Sequence, residues 1–449
     1  MMSAWYDSAI FYHIYPLGLC GCEKENDYKE KESKFPVLNR WVSHMADMGF
    51  NAVYIGPLFE SGSHGYDTTD YKRVDSRLGT NEDFKAWVKL CHESGIKVVV
   101  DGVFNHTGRD FLAFKNLQEQ KWDSWGKDWY CHVDFGQQGP YQDGFSYESW
   151  HGYALLPRLN MHNPAVKDYL LDVVRFWVSE FDIDGIRLDC ADVLDFDFMH
   201  QLRALADTVK PEFWLMGEVI HGDYGRWVNS GMLHSVTNYE LHKGIYSAHN
   251  SQNYFEMAHS VQRLFGPYGL CRGANLYNFV DNHDVDRIYN KLTVKENLKP
   301  VYIFLFTIVG IPSVYYGSEW GIEGCKSNGS DDPLRPSIDI DTFVNPHPEI
   351  TDLIRRLAMA KKTYAELNFG EYKELLLRNK QYAYARIYEG KACVTVLNND
   401  ASAEHLEIML PISAQSAVNL LNGEDVAVNN GRLQLTIGAN DGAVIKLNA

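Results

Sequence analysis

Arg187 and Asp189, in the stretch GIRLDC, alternate with Ile186 and Leu188. A strand turns successive side chains to opposite faces, so the ionisable pair shares one face and the aliphatic pair the other. A guanidinium beside a carboxylate lowers its pKa and keeps it ionised, the state in which a carboxylate can act as a nucleophile. Other acids and histidines end other apolar runs: Asp101, Asn105 and His106 in VVVDGVFNH, Glu218 in FWLMGEV, and His283 and Asp284 in FVDNHD. One acid after a strand is ordinarily a helix cap or a surface charge. Acids after four separate strands would repel one another at a shared rim, so their recurrence asks for a chemical reason. Retaining glycoside hydrolysis supplies one. It uses two carboxyl groups roughly 5–5.5 Å apart, one ionised to attack the anomeric carbon and one protonated to release the leaving oxygen. Glu218 follows the apolar run FWLMG. Such a setting, with carboxylates nearby, raises a carboxyl pKa as a general acid requires.

The elements that must carry these residues are legible as eight short β-rich runs, at 9–16, 51–58, 96–106, 184–189, 213–219, 234–241, 275–284 and 311–317. Helix-like stretches lie between them. NEDFKAWVKLCHESG (81–95) closes on a glycine, PAVKDYLLDVVRFWVSEF (164–181) opens on a proline, and DFMHQLRALADTVK spans 197–210. Strands alternating with helices imply a parallel sheet, and eight of them an α/β protein with a (β/α)8 TIM barrel. No glycine-rich phosphate loop follows the first strand, which speaks against a Rossmann sheet.

Residues 1–106 and 161–370 are assigned to the catalytic barrel. Residues 107–160, long and aromatic, read as a subdomain inserted after strand three. Residues 371–449, with runs such as YAYARIYEG and ACVTVLNND, read as a C-terminal all-β domain, a β-sandwich. Trp122, Trp125, Trp129 and Trp150 of the insertion read equally as core or as cleft wall. The loop CGCEKENDYKEKE (20–32) reads as solvated and charged.

The chain has 449 residues, 45% of them hydrophobic, enough for a large core. A net charge of -17 without a basic stripe excludes a nucleic-acid or anionic-membrane partner. The most apolar run, 301–316, contains Gly310 and Pro312 and reads as barrel core. The N-terminus has no positive leader followed by an apolar region, so the expected location is cytoplasmic. The eight cysteines are scattered and are expected to be reduced thiols; no metal site is assigned to them.

These residues together resemble the α-amylase superfamily of retaining α-glucoside hydrolases and transglycosylases. DGVFNH (101–106), GIRLDCAD (185–192), GEV (217–219) and FVDNHD (279–284) are similar to its four signature regions, in order. GIPSVYYGSEWG (310–321) resembles its strand-eight motif, and HGYDTTDYKRVDSRLGT (64–80) its loop after strand two. The resemblance implies Asp189 as nucleophile, Glu218 as general acid/base and Asp284 as the third carboxylate. It implies Arg187 as the orienting partner of the nucleophile, His106 and His283 as ligands of sugar hydroxyls, and Tyr66 as an aromatic platform. Asp332 and Arg335, in DDPLRP (331–336), are implied substrate contacts; Asp101 and Asn105 are supporting positions.

LPRLN (156–160) places the nearest likeness in the neopullulanase, cyclomaltodextrinase and maltogenic amylase branch, although that branch's N-terminal β-domain is not seen, since the first barrel strand begins near residue 9. The Lys-His pair of many α-amylases is replaced by Asp192-Val193. The function so implied is hydrolysis of α-1,4-glucosidic bonds in maltooligosaccharides or cyclodextrins. A 4-α-glucanotransferase or an α-1,6-glucosidase is the alternative, and retention of all three carboxylates argues against a non-catalytic binding protein. No cofactor is required and no metal residue is assigned; a structural calcium at Asn105 is what some relatives would have. Oligomeric state is left open.

Overall fold

The structure, a computed structural model, describes residues 4–448. Eight strands form the barrel: β1 (Phe11–Ile14), β2 (Ala52–Ile55), β3 (Lys97–Gly102), β4 (Gly185–Leu188), β5 (Trp214–Gly217), β6 (Ser235–Val236), β7 (Tyr277–Phe279) and β8 (Ile311–Tyr315). They pair in the order β6-β5-β4-β3-β2-β1-β8-β7, every pair parallel. A parallel bridge from Thr237 to Tyr277 closes the ring between β6 and β7. All eight runs expected from the sequence are present, each trimmed to its hydrogen-bonded centre.

Alternation along these strands sorts the side chains. Phe11, Ala52, Tyr54, Val99, Trp214, Met216, Tyr277, Phe279 and Ile311 point inward and form a core of their own. Their neighbours Tyr12, Val53, Val98, Val100, Ile186, Leu188 and Leu215 point outward into the larger core beneath the helices. Gly185 lies in register with Trp214, and a Cβ there would stand 2.6 Å from the Trp214 carbonyl oxygen. Trp214 in turn stacks on Phe11 at 5.0 Å and meets Trp5 edge-on at 6.2 Å, closing the lower end of the barrel. A ring buried in this way resists truncation by about 3–5 kcal/mol. The next inward position on β4, above this plug, is Arg187.

The helices follow their sequence signals. Thr80 caps Asn81–Glu93 by accepting from the Asp83 backbone, and the Asp83 side chain returns the bond. Phe84, Trp87, Val88 and Cys91 give that helix one buried face. Asn163 caps Pro164–Phe181, which ends where Asp182 turns left-handed at φ 58°. The apolar run 301–316 supplies the helix Leu298–Thr307 and β8, both buried, as the reading of barrel core anticipated. Among the described residues no helix is long and apolar enough to cross a membrane. All eight cysteines are unpaired thiols.

The loop after β2 is not bare. It forms an antiparallel ribbon, Phe59–Ser61 with Thr68–Val74, whose connection carries Tyr66. The charged loop 20–32 is fastened to this ribbon rather than simply solvated. Arg77, paired to Asp75 at 2.7 and 2.8 Å, donates to the carbonyls of Glu23 and Lys24, and the Asn26 amide donates to Glu60 and Ser61. Its charges therefore face solvent while its backbone is held.

Beyond the helix Pro348–Thr363 come eight antiparallel strands: β9 (Glu371–Leu377), β10 (Gln381–Tyr388), β11 (Lys391–Asn398), β12 (Glu404–Met409), β13 (Ser416–Asn419), β14 (Asp425–Asn429), β15 (Arg432–Ile437) and β16 (Asp441–Asn448). Their order is β9-β10-β11-β16-β13-β14-β15-β12, folded around a second core that includes Val394, Val396, Leu406, Ile408, Leu433 and Ile445. Tyr382, Tyr384 and Val444 instead join the barrel's core. Three of these strands, β9, β13 and β14, were not separable in the sequence. EYKELLL in β9 carries no fully buried residue, and β14 alternates only between exposed and half-buried, so neither has a buried apolar face to mark it.

The insertion after β3 packs around Phe114, Tyr130, Phe145 and Leu159. Trp129 is half-buried against this core, on Phe111 and Tyr169, but the other tryptophans are not core. Trp122 is 68% exposed and lies on Phe135, and Trp125 is 51% exposed and meets Trp129 edge-on. Trp150 alone of the four contacts a site residue, His106, at 6.0 Å between rings.

Candidate active site

The carboxyl ends of β3, β4, β5 and β7 meet around Arg187, which is 3% exposed. Register explains the meeting: Asp101 on β3 pairs with Arg187 on β4, so the two inward side chains stand at one level. Arg187 Nη1 donates to Asp101 Oδ1 at 2.9 Å and to Asp189 Oδ1 at 2.9 Å, and Nη2 lies 2.9 Å from Glu218 Oε2. One fully desolvated cation thus serves three carboxylates from three strands. Such a buried network holds only while every member is paired.

Asp189 and Glu218 each bring an oxygen within 4.8 Å of the other, with Cys190 Sγ inside the same radius. The Cys190 backbone N–H donates to Glu218 Oε2 at 3.1 Å, and the Tyr239 hydroxyl reaches Oε1 at 3.4 Å. Burial is the main cause that pushes the Glu218 carboxyl up to about 8; Arg187 opposes this, while Asp189 and Asp284 add to it. Burial also raises Asp101, with Asp189 adding and Arg187 opposing. The Asp101 carboxylate accepts from the hydroxyls of Tyr54 at 2.7 Å and Tyr66 at 3.1 Å.

Asp284 is the most open of the acids, with 31% of its side chain exposed. Burial would raise its carboxyl, but His283, Arg335 and Arg187 outweigh that and hold it well below the usual carboxylate range. His283 Nε2 is 2.9 Å from Asp284 Oδ2, and Arg335 Nη2 donates to Asp284 Oδ1 at 2.9 Å. The rings of Tyr66 and His283 lie nearly parallel with centroids 5.6 Å apart, joined through the tyrosine hydroxyl. His106 is buried beneath Tyr66, with Nε2 3.2 Å from the Tyr66 carbonyl oxygen. Burial lowers its imidazole to about 4, so it is neutral near pH 7.

Asp101, Tyr66, His106, Arg187, Asp189, Glu218, His283, Asp284 and Arg335 are therefore gathered at one rim. Asp332 is not. It is exposed and pairs with Lys24, while its neighbour Asp331 reaches Arg335 at 3.2 Å. The 3-10 turn Asp332–Leu334 does not carry on through Arg335, which has left helical geometry at φ -122° and ψ 48°, and it is Asp331, ahead of the turn, that meets the guanidinium. Asn105 supports the rim from behind: its amide lies 3.2 Å from His106 Nδ1, and it also borders a cavity of about 210 Å³ lined by Cys131, Glu148, Arg158 and Asp195 among others.

That cavity tests the calcium expectation. Glu148 is already paired with Arg158 and His132, and Asp195 accepts from the Phe198 N–H as a helix cap. Calcium takes 6–8 oxygen ligands in an acidic cage. A guanidinium in the cavity and acids already occupied do not fit it.

Tyr15, Tyr54, Tyr239, Asp331 and Cys190 belong to the site but were not singled out from the sequence. Tyr54 had a signal: it shares the inward face of β2 with Ala52, and a hydroxyl there needs a polar partner. Tyr15 donates to the His64 carbonyl at 2.6 Å and stacks on His283, but it follows its strand, where alternation no longer predicts direction. Tyr239 heads a helix and turns back to Glu218, which no local pattern shows.

A closed parallel barrel with a buried arginine and carboxylates converging at its carboxyl rim defines a class, the (β/α)8 hydrolases. Comparison with known proteins narrows this. Residues 40–382 match the family model for the alpha amylase catalytic domain. The chain is 29% identical to a maltogenic alpha-amylase of Bacillus acidopullulyticus, across 98% of this chain and 78% of that one. It is 32% identical to a cyclomaltodextrinase of Geobacillus thermopakistaniensis, across 86% and 65%. Among solved structures, a cyclomaltodextrinase superimposes with TM-score 0.86 at 26% identity, covering 98% of this chain and 78% of that one. The chain belongs to the α-amylase family and is a glycoside hydrolase of the α-amylase and cyclomaltodextrinase kind.

Proposed function

We propose that this enzyme hydrolyses α-1,4-glucosidic bonds of maltooligosaccharides or cyclodextrins by double displacement. Asp189 is the nucleophile, Glu218 the general acid and then base, and Asp284 the carboxylate that grips sugar hydroxyls as the ring distorts. Arg187 pairs with the nucleophile and fixes its orientation, Tyr66 and His283 wall the sugar that is attacked, and His106 and Arg335 support them. The observation that carries the mechanism is the approach of Asp189 and Glu218 to within 4.8 Å at their nearest oxygens. Retaining glycosidases hold their carboxyl groups about 5–5.5 Å apart, inverting ones about 6.5–9.5 Å. Proton NMR of freshly released product is expected to show the α-anomer first. Initial β-anomer would overturn double displacement.

For substrate, the names of the relatives support short or cyclic α-glucans. A higher kcat/KM is expected on maltotriose to maltoheptaose or β-cyclodextrin than on soluble starch normalised to chain ends, with maltose and glucose as main products. Equal turnover of starch with long products first would indicate an endo-acting α-amylase. Accumulation of longer glucans from maltotriose would indicate a glucanotransferase, and faster attack on pullulan's α-1,6 bonds an α-1,6-glucosidase. The occupied acids beside Asn105 also support metal independence: activity is expected to survive EDTA. Loss with EDTA that calcium restores would refute this.

A further inference from the structure

We infer that Cys190 is a positioning residue of the reaction, its thiol being a deliberately weak donor to the attacking oxygen of Asp189. This rests on the reading of Asp189 as nucleophile. The two oxygens of Asp189 have different partners. Oδ1 accepts from Arg187, which is shared with Asp101 and Glu218, so releasing it would leave a buried charge network unpaired. Oδ2 accepts from Cys190 Sγ at 3.0 Å, its one hydrogen-bond donor among the described residues. Oδ2 is therefore the oxygen free to bond to the anomeric carbon.

The backbone is shaped for this contact. Cys190 sits at φ 48°, in the left-handed region that residues with a Cβ seldom adopt. Its turn is closed by the Val193 N–H on the Cys190 carbonyl at 3.0 Å. The same residue's N–H holds Glu218 Oε2 at 3.1 Å, so one residue touches both carboxylates. The thiol is 8% exposed; burial, together with Asp189 and Glu218, pushes it far up, and it stays protonated throughout.

A thiol is a weak hydrogen-bond donor. In the first step an Oδ2 lone pair forms the bond to the anomeric carbon. The glycosidic bond breaks, its electron pair passes to the leaving oxygen, and that oxygen takes the Glu218 proton. The S–H···O bond is lost as Oδ2 loses charge, and a weak bond costs little to lose. In the second step water gives a proton to Glu218 and bonds to the anomeric carbon, and the C–Oδ2 pair returns to Asp189. Charge grows on Oδ2 again, and the thiol now helps it leave. Cys190 thus taxes the first step slightly and favours the second.

Two variants test this. An aryl α-maltoside with a good leaving group makes the second step limiting, so kcat reports it; kcat/KM on maltotriose reports the first step. Cys190→Ala is expected to lower kcat on the aryl maltoside about three- to tenfold with a matching fall in KM, as one neutral hydrogen bond would. Its kcat/KM on maltotriose should be unchanged or rise, because the variant has no S–H···O bond to give up in that step. Cys190→Ser, a stronger donor, is expected to restore kcat on the aryl maltoside but lower kcat/KM on maltotriose. If Cys190→Ala lowers kcat/KM on both substrates equally, or changes neither parameter, the inference fails. Trapping the covalent intermediate with a fluorinated maltosyl fluoride and locating it by mass spectrometry separates the two readings. A label absent from Asp189 in the unaltered enzyme overturns the nucleophile assignment itself. A label on Asp189 with unchanged step kinetics in the variants overturns only the role of Cys190.

Discussion

Asp189→Asn is expected to lower kcat by about a thousandfold or more, about 4 kcal/mol of barrier, with the fold intact. An amide nitrogen or neutral carbonyl cannot replace a carboxylate as the attacking group. The fold should survive because the site's cation keeps partners: Arg187 still has Asp101 at 2.9 Å and Glu218 at 2.9 Å. The measurement is kcat on maltotriose beside a thermal melt. A variant that keeps more than about a tenth of the activity, a loss under about 1.4 kcal/mol, would show that Asp189 does not attack. A collapsed melting transition would be a different result, and Asp189→Glu, which keeps the charge but moves the oxygens, then distinguishes folding from chemistry.

Glu218→Ala should be nearly as damaging on natural substrates yet depend on the leaving group. An alkoxide leaving from a sugar needs a proton, whereas a good aryl leaving group does not. The first step on an activated aryl maltoside is therefore expected to recover most of its rate, while maltotriose turnover stays low. Equal losses on both substrates would remove Glu218 from the acid role. The pH profile gives a second reading. Burial raises Glu218 to about 8, so the acid is present below that pH and is lost as pH rises through it. An alkaline limb of kcat/KM near pH 8 is expected in the unaltered enzyme and should vanish in Glu218→Gln. A limb unchanged by that substitution would assign it to another group.

Part of the rim was legible by parity, since Asp101 and Arg187 stand at inward positions on β3 and β4 and Asp189 comes one residue later. Tyr66, Glu218, His283, Asp284 and Arg335 lie beyond their strands and were legible from the motifs they resemble. Arg187 and Asp189 are the plainest case: two residues apart, on the face opposite Ile186 and Leu188. Most barrel strands were legible because their outward faces are apolar; β7 is the exception, its outward residue being Asn278, which pairs with Asn238 and the Val309 carbonyl. Where parity was weak the reading failed. Strand β9 has no fully buried residue, and the ribbon around Tyr66 carries polar side chains on strands that flank a loop. The tryptophans of the insertion were ambiguous because an aromatic residue serves equally as core or as surface platform; two of them are more than half exposed.

The sequence by itself determined the barrel, the identities of the converging acids and histidines, and the alternation that sends Asp101 and Arg187 to the interior. Those are local properties, set by period, residue type and chain order. Only the tertiary structure decided which groups share the arginine, that Asp331 rather than Asp332 meets Arg335, that Tyr54 and Tyr239 donate to the acids, and that Cys190 lies on Asp189 Oδ2. These depend on register between strands distant in sequence and on turns whose direction no periodicity encodes. The raised Glu218 and the depressed Asp284 have the same origin. Both are carboxyls that follow a strand, and what separates them is the burial and the charges that folding brings to each.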